Sequence, residues 1–324
     1  MSKTKPFVAV DSDTLLYSAV SACESRTIEV LHSPTGKSKE FKNRTEFKAV
    51  MKSKEKEITS DYCIIDKQEP EPIENALHLV KQRAEKILDN FQGCEVVFCA
   101  GDNNNFRAAL PYPTKYKGNR DNTLRPLLLK DAHEYFRKKY KAVMADGNEV
   151  DDEIAILAYE ALEQGREAII LSPDGDSRQF DGLKLGSYHS DLCSCVSIDF
   201  WHDMKWVDGE FDSYGFPWMM MQGIVGDATD GLNPSYLAKK RFGEKGFFNE
   251  FGGLKTPEEM SVKFIEKYQQ WYPSEFTYKT WDGKEVKADW RLMLNLYWKG
   301  TTMKRKRNEE PDFWQFLKEK GVQL

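Results

Sequence analysis

The sequence lacks the features of a membrane or exported protein. No segment contains the roughly 18 apolar residues that a membrane-spanning helix needs. The first residues, MSKTKPFVAV, lead directly into a strand-like run and leave no room for a secretion signal. Internal repeats and low-complexity segments are also missing. We therefore expect a cytoplasmic globular protein without a membrane partner.

Cysteines are few and scattered. Several of the six lie in apolar runs, which indicates reduced thiols rather than a disulfide framework. Cys193 and Cys195, with His189 and His202 nearby, suggest a zinc site at first sight. The C-x-C spacing does not match the usual zinc knuckles, so zinc is not expected.

What the sequence has instead is a set of short acidic motifs. Glu149, Asp151 and Asp152 open an apolar-periodic segment that predicts a helix. The buried-looking run AIIL follows, and Asp174 and Asp176 come directly after it. Like charges this close repel, and desolvated carboxylates are costly, so a cation must neutralise them. Oxygen-only ligands suit Mg²⁺, with Mn²⁺ as an alternative.

Further acids occupy equivalent places. Asp11 ends the apolar run FVAV, and Asp102 follows VVFCA, where α/β folds put their sites. Asp13 is either a helix cap or a functional acid, and the sequence leaves both open. Asp227 and Asp230, spaced i, i+3, can point to one side of a turn. We predict that these acids join the same metal site.

The net charge of −5 conceals a basic remainder. Ten of the 52 acidic residues belong to the motifs above. The other 42 face 47 basic residues, which leaves a net charge of +5 for the rest of the chain. Basic patches can therefore bind the phosphates of a nucleic acid.

The run FRAALPYPTKYKGNR mixes cations with rings. This composition is typical of a channel that binds a single strand, with cations for phosphates and rings for stacking. Its prolines and glycine indicate a mobile lead-in, and an ordinary surface loop is the alternative. The predicted contacts are Arg107, Lys115, Tyr116, Lys117, Arg120 and Arg125.

Two more basic stretches accompany glycines or turns. Lys239, Lys240 and Lys245 lie around glycines, where a turn at a helix start can bind phosphate. Residues 26–60 predict an inserted hairpin and arm, and the part from 37 to 56 has eight basic residues against three acidic. That part either contacts a nucleic-acid backbone or is a solvated face.

The remaining periodicities give a coarse fold. Residues 73–91 predict an amphipathic helix and 96–100 a buried strand, whereas 64–72 predicts a polar loop. Residues 184–197 predict an edge hairpin, and the run WMMM predicts helical core. Residues 254–324 predict helices rich in aromatics, with 304–307 a solvated basic run. The fold class is α/β, a central and mostly parallel sheet flanked by helices.

The motifs in their order resemble the phage and bacterial 5′→3′ exonuclease/flap endonuclease family, with its PIN-like α/β nuclease fold. The matching segments span roughly residues 7–245. In sequence order they are VDSD, GD, YKGNR, EVDD, SPDGDSRQ and GDATDG. No single motif is decisive, but the ordered set is specific.

The resemblance implies a Mg²⁺-dependent, two-metal hydrolase that cuts phosphodiesters at DNA 5′ ends. Flaps, nicked duplex and RNA–DNA hybrids are the implied substrates, in replication, primer removal or host-DNA degradation by a phage. Replication proteins are possible partners, and host cytoplasm is the implied location for a phage protein. Lys117 and Arg120 match the family's phosphate-clamping residues. The implied metal ligands are Asp11, Asp102, Glu149, Asp151 or Asp152, and Asp174 for one ion, and Asp176, Asp227 and Asp230 for the other.

The resemblance also implies two parts of the chain. Residues 1–200 would form the nuclease domain, with a helical arch at 103–140. Residues 201–324 would form a helical region with a helix–turn–helix-like duplex-binding element. The family's glycine-rich turn is interrupted here by Asn233-Pro234-Ser235-Tyr236, so this element departs from the pattern.

Two other interpretations of the motifs remain. Asp11-x-Asp13 and GDATDG also resemble a haloacid-dehalogenase-type phosphatase, although that class has no use for EVDD or YKGNR. A structure-specific DNA-binding module without catalysis is the other alternative. The near-complete acidic set argues against it.

Overall fold

The computed structural model describes residues 4–101, 105–121, 123–188 and 194–324. Its packing divides the chain into two units. Unit 1 consists of Met1–Asp13, Ile87–Thr123 and Ala142–Leu324, and unit 2 of Thr14–Lys86 and Leu124–Lys141. The boundary predicted at residue 200 divides the chain differently, because unit 1 contains residues from both sides of it.

The chain forms thirteen strands and ten α-helices within the described residues. The strands are β1 (Phe7–Asp11), β2 (Glu24–His32), β3 (Lys37–Phe41), β4 (Tyr62–Pro70), β5 (Glu95–Gly101), β6 (Val143–Ala145), β7 (Ala168–Leu171), β8 (Lys184–Gly186), β9 (Val196–Ser197), β10 (Lys205–Val207), β11 (Glu210–Asp212), β12 (Phe276–Lys279) and β13 (Glu285–Ala288). The α-helices are α1 (Asp13–Ser21), α2 (Arg44–Ser53), α3 (Ile73–Asn90), α4 (Leu129–Tyr140), α5 (Val150–Glu163), α6 (Gly215–Val225), α7 (Glu244–Phe251), α8 (Pro257–Trp271), α9 (Trp290–Thr301) and α10 (Phe313–Glu319). Short 3₁₀ turns cover Phe106–Ala109, Gly118–Arg120 and Gly175–Gln179.

The main sheet of unit 1 has the order β6-β5-β1-β7-β8-β9. All neighbours are parallel except β8 and β9. Strands β1 and β7 are buried along their whole length, as parallel strands covered on both faces must be. The α/β fold with a mostly parallel sheet is thereby confirmed, and β8 with β9 confirms the edge hairpin.

The parallel order decides where the acids meet. Because β1, β5 and β7 run in one direction, their carboxyl ends lie at one edge of the sheet. β1 ends at Asp11, which is opposite Cys99 of β5. The first turn of α5 and the 3₁₀ turn after β7 begin at the same edge, since each follows its strand after a few residues.

The second half of unit 1 is built around aromatic side chains. Helices α6, α8, α9 and α10 share one apolar core with the β12–β13 hairpin. Trp298 of α9 is fully buried, with Phe264 and Phe313 packed edge-on against its ring. The WMMM run lies in α6, as predicted, with the three methionines buried.

Unit 2 contains a small antiparallel sheet of order β3-β2-β4. The hairpin predicted within residues 26–60 is confirmed by β2 and β3. The polar loop predicted at 64–72 is wrong, because β4 pairs with β2 over its whole length. Its strand character was hidden because one face is solvated and carries polar residues. Tyr62 and Ile64 face the helix α2, whereas Ile65 is 46% exposed.

The helix predicted over residues 73–91 is confirmed as α3. Among the described residues, no helix combines the length and the apolarity needed to cross a membrane.

Candidate active site

The site begins at the carboxyl end of β1. Asp11 is 5% exposed, and its carboxylate accepts the hydroxyl of Ser172 at 3.1 Å and the backbone N–H of Asp13 at 3.0 Å. Asp13 is the first residue of α1, and its carboxylate accepts the N–H of Gly101 at 3.0 Å. Asp13 therefore ties the end of β5 to the start of α1. The sequence had left open whether Asp13 is a helix cap or a functional acid.

Burial and neighbouring acids disturb these carboxyls. Burial, followed by the charge of Asp13, raises the pKa of Asp11 to about 7. Burial also raises the pKa of Asp151 well above its usual range, with Asp11, Asp174 and Asp176 adding repulsion. Oδ1 of Asp151 is buried and has no hydrogen-bond partner. A buried, partnerless carboxylate oxygen fits a cation ligand.

Asp174 and Asp176 connect these acids to Asp227 and Asp230. Burial raises the pKa of Asp176, and the charges of Asp174 and Asp227 add to the effect. Asp174 accepts the N–H of Asp176 at 3.0 Å. Gln222 of α6 donates a hydrogen bond to the Asp176 carboxylate. The sequence had assigned no role to Gln222, whose position next to Asp176 depends on the packing of α6 against the 3₁₀ turn.

Asp152, although next to Asp151, has the opposite environment. It is fully buried and forms a bidentate pair with Arg107, at 2.6 and 2.9 Å. It also accepts the backbone N–H groups of Lys304 at 2.8 Å and Glu149 at 2.9 Å. Burial would raise the pKa of Asp152, but the Arg107 guanidinium and these donors outweigh burial and lower it. With four donors, Asp152 is already satisfied and positions the start of α5.

Arg107 corrects a prediction. Its side chain is fully buried, and besides Asp152 it donates to the carbonyls of Gly300 at 3.0 Å and Thr302 at 2.9 Å. A guanidinium enclosed in this way cannot contact DNA, so its assignment as a DNA-binding residue is wrong. The sequence could not separate it from its exposed neighbours, because a basic residue beside a phenylalanine has the same pattern in both cases.

Residues 300–307, which we call the C-terminal strap, were missed as part of the site. The backbone N–H of Met303 donates to the side-chain oxygen of Gln179 at 2.9 Å. Arg305 is 9% exposed and pairs with Asp181 at 2.5 Å. Arg307 pairs with Glu153 of α5 at 3.2 Å. The solvated basic run predicted at 304–307 is confirmed for Lys306 and Arg307, which are exposed, and is wrong for Arg305, which is buried. The excess of acids in α5 was the signal for the pairing of Arg307.

The YKGNR segment docks onto the GDATDG turn. The N–H of Lys117 donates to the carbonyl of Asp230 at 2.7 Å, and the Asn119 amide donates to the carbonyls of Ala228 and Thr229, each at 3.0 Å. Gly231 has φ +72°, and a Cβ there would lie 3.1 Å from the Lys115 carbonyl. Both the conformation and the close approach require glycine.

The docking places two cations beside two acids. Lys117 donates to Glu149 and lies 3.5 Å from Asp230. Arg120 pairs with Asp230 at 2.7 Å. Burial would lower the pKa of Lys117, but Glu149 and Asp230 outweigh it and raise the pKa, so the amine stays charged. Lys117 also has φ +54°, a strained conformation held by these contacts.

Tyr116 corrects a second prediction. Only 7% of it is exposed, and its hydroxyl bonds to Glu149 at 2.9 Å and Asp230 at 2.7 Å. Its ring stacks against Tyr112, so it is not free to stack on a base. Tyr116 instead holds together a carboxylate from α5 and one from the 227–230 turn.

The other predicted residues are distributed unevenly. Asp102 lies outside the described residues, and so do His189 and Cys193. His202 accepts the N–H of Asp199 at 2.9 Å. Lys115, Lys239, Lys240 and Lys245 are exposed in unit 1, whereas Arg125 is exposed in unit 2. DNA contact by these five stays a prediction.

The acids offer a donor set for divalent cations. All are oxygen donors from separate elements, and repulsion among them calls for positive charge. Within the described residues, no three of the metal-binding side chain types already form a closed shell around one point. Carboxylates that repel one another have no reason to close a shell by themselves.

Similar proteins were found by comparing structures and not by comparing sequences. No protein-family model matches the chain, and no curated protein matches it by sequence. A bacteriophage T5 protein co-crystallised with metal ions is 18% identical, with a TM-score of 0.40, over 58% of this chain and 76% of that one. A bacteriophage T5 flap endonuclease in complex with DNA and metal ions is 15% identical, with a TM-score of 0.38, over 60% and 76%.

A third structure, T5 5′-exonuclease with bound zinc, is 16% identical, with a TM-score of 0.41, over 80% of this chain and 84% of that one. The two that are named by activity are nucleases of the class that the ordered motifs indicated. With TM-scores near 0.4, the likeness by itself assigns neither family nor activity to this chain.

Proposed function

We propose that this protein is a metal-dependent 5′ nuclease that hydrolyses phosphodiesters at DNA 5′ ends, including flaps and nicks. One observation carries the proposal. Acids from β1, α5, the turn after β7 and the 227–230 turn lie close enough to raise the pKa of their neighbours, and Lys117 and Arg120 pair with acids of α5 and the 227–230 turn. No fold requirement explains so many mutually repelling carboxylates beside two cations, whereas phosphodiester hydrolysis needs both.

The acids would hold two divalent ions, Mg²⁺ in the first place. Asp11, Asp151 and Asp174 would serve one ion, with Glu149 beside Asp151. Asp176 and Asp227 would serve the other, with Asp230 beside them. Bound ions supply an activated water and stabilise the leaving oxygen. Asp152 would take no direct part, since its oxygens are occupied by Arg107 and two backbone donors.

Lys117 and Arg120 would hold the scissile phosphate. In the structure both pair with carboxylates of the site, Lys117 with Glu149 and Arg120 with Asp230. An entering phosphate would offer Arg120 a bidentate partner and Lys117 a charged one, and Glu149 and Asp230 would then be available as ion ligands. The two cations also stabilise the charge that grows on the phosphate during hydrolysis.

The test uses a 5′-labelled flap and a nicked duplex with Mg²⁺. We expect short labelled oligonucleotides from the wild type and none after Asp151→Asn. Asp208→Asn serves as the matched control, because Asp208 is an exposed turn residue with φ +52° that asparagine tolerates equally well. Release of inorganic phosphate alone would identify a phosphatase, and binding without any cleavage a non-catalytic DNA-binding module.

A further inference from the structure

The small sheet of unit 2 carries two exposed lysines on the face that α2 covers. On the face that α2 covers, Lys37 and Lys39 share the side of Phe41, and the Lys39 amine lies 5.2 Å from that ring. On the opposite face, Lys67 bridges Glu29 at 3.0 Å and Glu40 at 4.0 Å. On the α2 side, Asp66 pairs with Arg44 of α2 at 2.5 Å, so these acids have cation partners other than Lys37 and Lys39.

Helix α2 continues the positive charge. Phe47 and Met51 anchor it to the sheet and are 2% and 6% exposed. Lys48 and Lys52 are exposed one turn apart. We call Lys37, Lys39, Lys48 and Lys52 the basic face.

The basic face has no neutralising partners. Within the part of the chain that the structure describes, none of its four amines lies within 4 Å of a carboxylate. Glu46, the acid of α2, is turned back and accepts the N–H of Lys42 at 2.6 Å. Like charges at i, i+4 destabilise a helix, so folding alone does not favour this arrangement.

Resting on the proposed function for the class of partner, we propose that the basic face binds the phosphate backbone of nucleic acid. The side chains around the basic face favour nucleic acid over an acidic protein as the partner. Residues 37–56 expose no large apolar side chain. Protein interfaces are anchored by such side chains, whereas phosphate contacts need only cations and read no sequence.

The experiment measures the salt dependence of binding by the full chain. A fluorescent flap duplex is titrated in EDTA, without divalent ions, between 50 and 300 mM salt. In the variant K39Q/K48Q/K52Q, we expect the slope of log Kd against log salt to fall by about 0.9 for each phosphate that is no longer neutralised, and thus by up to about 3. At the lowest salt, Kd should rise at least about tenfold.

Two variants control for charge and fold. K279Q/K284Q/K287Q removes three exposed lysines from the β12–β13 hairpin and should keep the wild-type slope. K39R/K48R/K52R retains the charge and should also keep it. A wild-type slope in K39Q/K48Q/K52Q, or an equal loss in the hairpin variant, would overturn the inference. Because no hydrolysis occurs in EDTA, absent cleavage in the nuclease assay would overturn the proposed function alone.

Discussion

Asp151 and Asp152 are consecutive residues in the first turn of α5, yet their surroundings are opposite. Asp151 has a buried oxygen without a partner and a raised pKa. Asp152 has four donors and a lowered pKa. A helix rotates by about 100° per residue, so one acid points to the other carboxylates and the next to Arg107 and the C-terminal strap. Adjacent acids can thus divide between chemistry and architecture.

The largest expected effect is on activity at Asp151. Asp151→Asn should lower single-turnover cleavage of a flap by about 10³-fold or more, since it removes a proposed ion ligand. Stability without metal should stay equal or rise, because the neutral amide removes repulsion. Cleavage and thermal unfolding are measured on one preparation. Near-wild-type cleavage by Asp151→Asn would show that Asp151 is not an ion ligand and does not differ in role from Asp152.

Lys117→Ala should slow turnover by about 10²–10³-fold, the cost of losing one preorganised donor to a developing charge. The loss should appear in kcat at saturating DNA. Lys205→Ala is the matched control, because Lys205 is an exposed lysine of unit 1 with no assigned role in DNA binding. Equal rates for the wild type and Lys117→Ala would remove the proposed phosphate contact.

Asp152→Asn should act on stability rather than on the chemistry. Leaving Arg107 buried without its charge partner costs about 3–5 kcal/mol. Urea unfolding measures this loss, and the comparison is with Asp151→Asn. If Asp152→Asn proved as stable as the wild type while abolishing metal binding, Asp152 would belong among the ion ligands.

The raised pKa of Asp11 predicts a pH dependence. The folded state holds this proton more tightly than the unfolded state, whose pKa is about 3.8. The free energy of unfolding without metal should therefore fall as the pH rises from about 4 to about 7, by on the order of 4 kcal/mol from this group. Mg²⁺ should restore stability more at pH 8 than at pH 6, because protons compete with the ion. Thermal unfolding with Mg²⁺ or EDTA at each pH measures both trends. If stability in EDTA rose with pH, the pKa of Asp11 would not be raised in the folded protein.

The smallest effect is expected at Tyr116. Tyr116→Phe keeps the buried ring and removes the hydroxyl that bonds to Glu149 and Asp230. The loss should be about 1–3 kcal/mol of stability, since hydrogen bonds to charged groups lie in that range. Urea unfolding measures it, with Tyr236→Phe, at an exposed position, as the control. A large loss of DNA affinity without a change in stability would instead favour a contact between the hydroxyl and DNA.

Much of the fold followed from local pattern. Apolar runs gave β1, β5 and β7, and the acids after them marked the edge of the sheet where chemistry is placed. Strand β4 escaped because its polar residues face water. The strap escaped because a run of lysines and arginines looks the same whether solvated or paired with distant acids.

The sequence by itself determined that many carboxylates and a few cations meet, because parallel strands bring their carboxyl ends to one edge. Only the tertiary structure decided which of them remain available. Burial and hydrogen-bond donors from residues far apart in the chain withdraw Arg107, Asp152 and Tyr116 into architecture. They leave Asp151 with a partnerless oxygen and Lys117 beside acids. Desolvation and pairing depend on contacts between distant segments, and no local pattern contains them.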